Sequence, residues 1–116
     1  MPTTGAYGVK KPKTLNILGA KYRVLYFKDP LEVDPDGREP LFGLCRSTLR
    51  EIRICSGSSE SDQHDALVHE IIHAVIDQCP LLGEIMKKIG EDDHEALVGT
   101  LATLLSDTLI RNGLSR

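Results

Sequence analysis

The sequence predicts an α+β domain: a small antiparallel sheet of three or four strands packed against two main helices plus a short one. Three observations predict it. The first half of the 116-residue chain consists of short runs of alternating or β-branched residues, separated by Gly and Pro. The second half carries longer apolar stretches bounded by helix caps and stop signals. Strands first and helices second leaves the helices one sheet face to cover.

The elements follow in order. Residues 1–13 mix Gly, Pro, Thr and Lys without periodicity and read as a flexible tail, leaving 14–116 as a single domain. Residues 15–19 form a short strand ending in a turn, and 21–28 a second strand with Tyr22, Val24 and Tyr26 on one face. Three prolines and an Asp-Gly pair make 29–40 a loop. Residues 41–46 read as a strand, Ser47-Thr48 as its turn, and 49–55 as a strand that points Ile52 and Ile54 inward. After the connector 56–60, Ser61 or Asp62 caps a helix that runs to about Gln78, where Cys79-Pro80 stops it. Residues 81–89 make a short helical piece ended by Gly90. The last helix begins at Asp92 or Asp93 and reaches Arg111, before Asn112-Gly113. Its apolar stripe is Leu97, Leu101, Leu104, Leu105 and Leu109.

Within the first long helix lies His69-Glu70-Ile71-Ile72-His73. Histidines four apart share one helix face, one turn from each other, where a single ion can be gripped between them. Glu70 projects from the neighbouring stripe, in reach of a water on that ion. His-Glu-x-x-His is the zinc-hydrolase motif: two imidazole ligands for Zn2+ and a carboxylate as general base. The flanks, Ala66-Leu67-Val68 and Ala74-Val75-Ile76, are apolar, so the helix is buried. Imidazoles and a carboxylate in such a place call for a shared partner.

Composition narrows the rest. Hydrophobic residues make up 41% and aromatics 4%, with no Trp, so the core rests on Leu, Ile and Val. A net charge of −3 gives no electrostatic case for nucleic-acid binding. The one basic cluster, Lys10-Lys11-Pro12-Lys13, reads as a solubilising segment. No apolar run approaches membrane-spanning length. The start of the chain lacks a charged region followed by an apolar one, and the three cysteines are odd in number. Together these predict reduced thiols and a cytoplasmic location, although Cys45 and Cys55 could still meet across a hairpin. A compact monomer is the default.

Catalytic zinc takes three protein ligands and leaves one position open. The third candidate is Glu95, its neighbour His94, or Cys79, and a helical wheel does not separate Glu95 from His94. The runs His69-Glu70-Ile71-Ile72-His73-Ala74 and Glu95-Ala96-Leu97-Val98-Gly99-Thr100-Leu101-Ala102 resemble those of ImmA/IrrE-type zinc metallopeptidases and their small phage-encoded relatives. That resemblance covers about residues 50–112. It implies a zincin-like fold and a His69, His73, Glu95 ligand set, with Glu70 as catalytic base on metal-activated water. It also implies a peptide or protein substrate, held by strand addition along 51–54. An oxyanion donor would come from Tyr22, Tyr26, His64 or His94, with His64 otherwise a surface residue of the first helical turn. The alternative is a non-catalytic, zinc-stabilised protein-binding module. A third reading is a metal-free interaction domain with a core histidine pair.

Overall fold

A computed structural model describes residues 3–4, 10–37 and 39–114. Two short strands, β1 (Thr3–Thr4) and β2 (Lys10–Lys11), pair antiparallel with each other. The rest of the expected tail before Lys10 lies outside the described residues. β3 (Thr14–Ile17) and β4 (Ala20–Phe27) form a hairpin through Leu18-Gly19. Both turn residues take positive φ, 52° and 86°, which suits the right-handed strand twist. Leucine is a costly choice for the first of them. The Asn16 side chain steadies the turn by accepting the Gly19 N–H at 2.8 Å.

The proline-rich stretch after β4 is not all loop. Pro30–Val33 forms one helical turn, α1. Asp29 caps it by accepting the Leu31 N–H, and Pro30 sits at the first helical position, where its missing N–H costs nothing. Asp-Pro was thus a helix start as much as a turn. β5 (Gly43–Arg46) leads through a single 3-10 turn, Ser47–Leu49, into β6 (Glu51–Cys55).

The main sheet has the order β3-β4-β6-β5 and is mixed, not antiparallel. Its hairpins are antiparallel, but β4 and β6 lie parallel, with Val24 opposite Ile52. Two hairpin-like units set side by side need a crossover, and the chain between Phe27 and Glu51 supplies it through α1 and β5. β6 is therefore internal and β5 is the edge, so strand addition along 51–54 is ruled out by the pairing on both sides of β6.

One face of the sheet holds the core: Ile17, Tyr22, Val24, Ile52 and Ile54 pack against Ala66, Leu67 and Ala74 of α2 (Glu60–Gln78). The other face is partly covered by α1. There Arg53 lies 4.3 Å over the Phe27 ring and donates to the Val33 carbonyl at 2.7 Å. Glu51, also buried, is held by Arg23 at 2.8 Å and Arg53 at 2.7 Å, which offsets the cost of burying its charge.

The cap of α2 lies two residues before the earlier of the expected ones. Ser59 is the N-cap, accepting the Asp62 N–H at 3.2 Å. Its far end is tied to the sheet by the Gln78 amide donating to the Ile17 carbonyl. α3 (Pro80–Ile89) and α4 (Glu91–Arg111) follow, separated by Gly90. α4 packs on α2 and α3, forming a third layer. Its packed stripe is Val98, Ala102 and Ser106, not the leucines: Leu97, Leu101, Leu104 and Leu105 are all exposed. Small residues four apart let α4 lie close to α2. Gly99 also faces α2, where a Cβ would make an ordinary contact 3.9 Å from the His69 ring. No helix among the described residues is long and apolar enough to cross a membrane.

Candidate metal centre and cleft

α2 and α4 bring three ligand atoms together. His69 Nε2 lies 3.2 Å from His73 Nε2, and 3.5 Å from Glu95 Oε2. His73 Nε2 lies 2.9 Å from Glu95 Oε1. One atom from each of these residues falls within 4.8 Å of the others, so the trio could hold a metal ion. The histidines converge because four residues make about one helical turn. Glu95 reaches them because Gly90 starts α4 just ahead of it and the Val98–Ala102 seat fixes that helix on α2. Burial, first of all, lowers the His73 pKa, with the Glu95 charge opposing, so the ring is favoured in its neutral, lone-pair-bearing form.

Glu70 faces the edge strand. It is only 7% exposed and accepts a hydrogen bond from the Cys45 backbone N–H. Burial, aided by repulsion from Glu95, pushes its pKa up to about 8. Gly43 makes room for it: a Cβ at that position would come within 2.9 Å of the carboxylate oxygen. Glycine inside a strand signals such a close approach, and this one was legible as such in Phe42-Gly43-Leu44.

Two cavities adjoin the trio. One, of about 360 Å³, lies between Phe42 of the β5 approach and Asp62, Asp65 and Ala66 of α2. The other, of about 330 Å³, runs past Leu41, Leu44, Cys45, Asp77 and Glu95. Both are bounded by Gly43, His69 and Glu70, so the candidate centre sits where they meet. β5 forms one wall and α2 the other. The cleft residues of α2 follow helical spacing: Asp62, Asp65, His69, His73 and Asp77 are three or four apart. The acidic members of that stripe were overlooked in favour of the motif.

Other expected residues fall elsewhere. Tyr22 is buried in the core, and the Tyr26 hydroxyl donates to the Pro12 carbonyl at 2.7 Å. Burial raises the Tyr26 pKa to about 12. His94 is the one proposed oxyanion donor beside the trio, its ring centroid 5.3 Å from that of His73. Its Nε2 is buried with no hydrogen-bond partner among the described residues. Cys79 joins α2 to α3 and is not in the ligand group. All three cysteines are free: Cys45 lies opposite Ile52, out of register with Cys55.

His64 is not a surface residue. It is 6% exposed and its Nδ1 pairs with the Ser106 hydroxyl, fastening α2 to α4. Burial lowers its pKa below the ordinary 6.5, against the pull of Asp65. A ring with a depressed folded pKa stabilises the fold above the unfolded value and loses that contribution as pH falls from 6.5 through the folded value. Metal-free His64→Asn is therefore expected to show a smaller fall in Tm between pH 7 and pH 5 than wild type. A few degrees would separate the two in thermal melts, at about 4 °C or more per kcal/mol. An unchanged slope would remove His64 as a source of acid sensitivity.

Comparison with known proteins found no matching family model, no similar curated protein and no similar solved structure.

Proposed function

We propose that the protein is a zinc-dependent peptidase, zincin-like in its site, in which His69, His73 and Glu95 hold the ion and Glu70 is the general base. The observation that carries the reading is the spacing of the ligand atoms. Nitrogen and oxygen ligands about 2.0–2.1 Å from a tetrahedral zinc ion are about 3.3 Å apart. Here the two imidazole nitrogens are 3.2 Å apart, and each faces one oxygen of the same carboxylate, His69 Nε2 at 3.5 Å from Glu95 Oε2 and His73 Nε2 at 2.9 Å from Glu95 Oε1, with one ligand atom of each residue within 4.8 Å of the others. The donor set, two imidazoles and a carboxylate, suits zinc in a hydrolytic site. The sequence resemblance to ImmA/IrrE-type metallopeptidases points the same way.

Zinc held by His69, His73 and Glu95 would supply Lewis acidity, lowering the pKa of a water to about 7 and polarising a carbonyl oxygen. The chain's own residues do the rest. Glu70 takes the proton from the attacking water and returns it to the leaving amine. Burial and Glu95 raise its pKa in the metal-free site, and a cation on the trio would oppose that shift and favour the ionised carboxylate that accepts the proton. β5 is an edge strand of the sheet, and an extended peptide can lie along it beside the Cys45 N–H that Glu70 already holds, with its scissile bond over the meeting point of the two cavities.

A second reading is a non-catalytic protein-binding module clamped by zinc, with His94 beside the trio. His94 packs beside His73 but lies outside the ligand group, so its ring would have to turn toward the ion to close the fourth coordination position. Acetohydroxamate separates the two readings. Protein loaded with one equivalent of zinc is expected to bind it, and to bind none without metal. Zinc uptake with no hydroxamate binding would favour the clamp, and no uptake of zinc would end both.

A further inference from the structure

The cleft carries one sign of charge. Asp62 and Asp65 stand at one end, Asp77 and Glu95 at the other, and neither cavity is lined by Lys or Arg among the described residues. A low-dielectric cleft lined by one sign concentrates its field and selects ligands of the other sign. An ion on the trio would offset Glu95, but Asp62 and Asp65 lie beyond the ligand set. Their cavity has a second mark. Phe42 lines it as well, directly before the edge strand, and the residue is 63% exposed. An exposed aromatic residue in a cavity with two carboxylates suits a long cationic side chain, which lays its apolar stem on the ring and its charged head among the oxygens. Asp65 keeps acceptor capacity for such a head: among the described residues its hydrogen bonds come from the Thr103 hydroxyl, at 3.2 and 3.3 Å from its two oxygens.

We infer that the cavity between Phe42 and the Asp62–Asp65 pair receives a lysine or arginine side chain of the peptide in the cleft, making basic segments the preferred substrates. This rests on the peptidase reading above and adds to it a substrate class. The side chain enters beside Glu70 and His69, which border the same cavity. The basic residue is thus near the bond to be cleaved, not at a distant exosite.

The test uses the zinc-loaded wild-type protein and three kinds of probe. The first is acetohydroxamate alone. The others are short peptide hydroxamates in which one position at a time carries arginine or its neutral isostere, citrulline. At one position arginine is expected to bind about tenfold tighter than citrulline, as close charge pairs allow. The gain is expected to shrink as salt rises and to disappear in Asp62→Asn/Asp65→Asn, which keeps the side-chain shapes and hydrogen bonding to Thr103. Acetohydroxamate binding with equal affinity for arginine and citrulline probes at every position would overturn the inference and leave the peptidase reading standing. A preference untouched by the double substitution would overturn it too. Failure of acetohydroxamate to bind would bring down both. The arginine–citrulline comparison needs no variant, so a poorly folded double substitution cannot obscure it.

Discussion

Glu70→Gln is expected to bind zinc as wild type does and to hydrolyse peptides about 10²–10⁴-fold more slowly, the range lost when a positioned general base is removed. The amide keeps the shape and the hydrogen bond from Cys45 but cannot accept the water's proton. The same substitution has an opposite effect on stability. A carboxyl whose pKa is about 8 in the fold and about 4.5 when unfolded stabilises nothing by its burial above that window. Its contribution is fully present below pH 4.5 and is lost as pH rises through 8. At pH 7 the penalty is about 3 kcal/mol by linkage. Metal-free Glu70→Gln is therefore expected to melt higher than metal-free wild type at pH 7–8, with the two converging near pH 4.5. Peptide hydrolysis at the wild-type rate would reject Glu70 as base, and identical melting curves across that range would reject the raised pKa.

Removal of a ligand is expected to abolish the thermal response to zinc. An ion present at a thousand times its Kd stabilises the native state by about 4 kcal/mol. For a domain of this size that is a rise in Tm on the order of 15 °C. His73→Ala, which deletes the nitrogen nearest Glu95, is expected to show almost none of it, and Glu95→Ala little more. His94→Ala is expected to keep most of it, because His94 touches His73 by ring packing and lies outside the ligand group. Scanning calorimetry with and without zinc reads all three. A full response in His73→Ala would place the ion elsewhere and dissolve the proposed centre. A lost response in His94→Ala alone would shift weight to the clamp.

The helices were legible in the sequence because their signals are local. Cys79-Pro80, Gly90 and Asn112-Gly113 each mark an ending, and the histidine spacing declares a helix face by itself. The sheet's connectivity was not, because no local signal distinguishes a strand that pairs with its successor from one that waits for a later partner. Val24 and Ile52 are equally apolar in either arrangement, and only the crossover through α1 makes β6 internal. α4 misled for a related reason. Counting leucines finds the apolar stripe, but α4 is seated by Val98, Ala102 and Ser106, whose merit is small size. His64 looked like a first-turn surface residue because its partner, Ser106, lies 42 positions further on. At the site, the motif histidines were plain, and Glu95 came from a resemblance. Gly43, Asp62 and Asp65 had signals of their own, a strand glycine and a helical stripe, that the motif outshone.

The third layer carries an unequal burden. α4 contributes Glu95 yet rests on α2 and α3, while the hairpins keep their own core without it. Detachment of that one helix would dismantle the trio and uncover the histidines, with the strands still in register. Were a cation held there, peeling a single rod from the flank would be a route to its release by local opening.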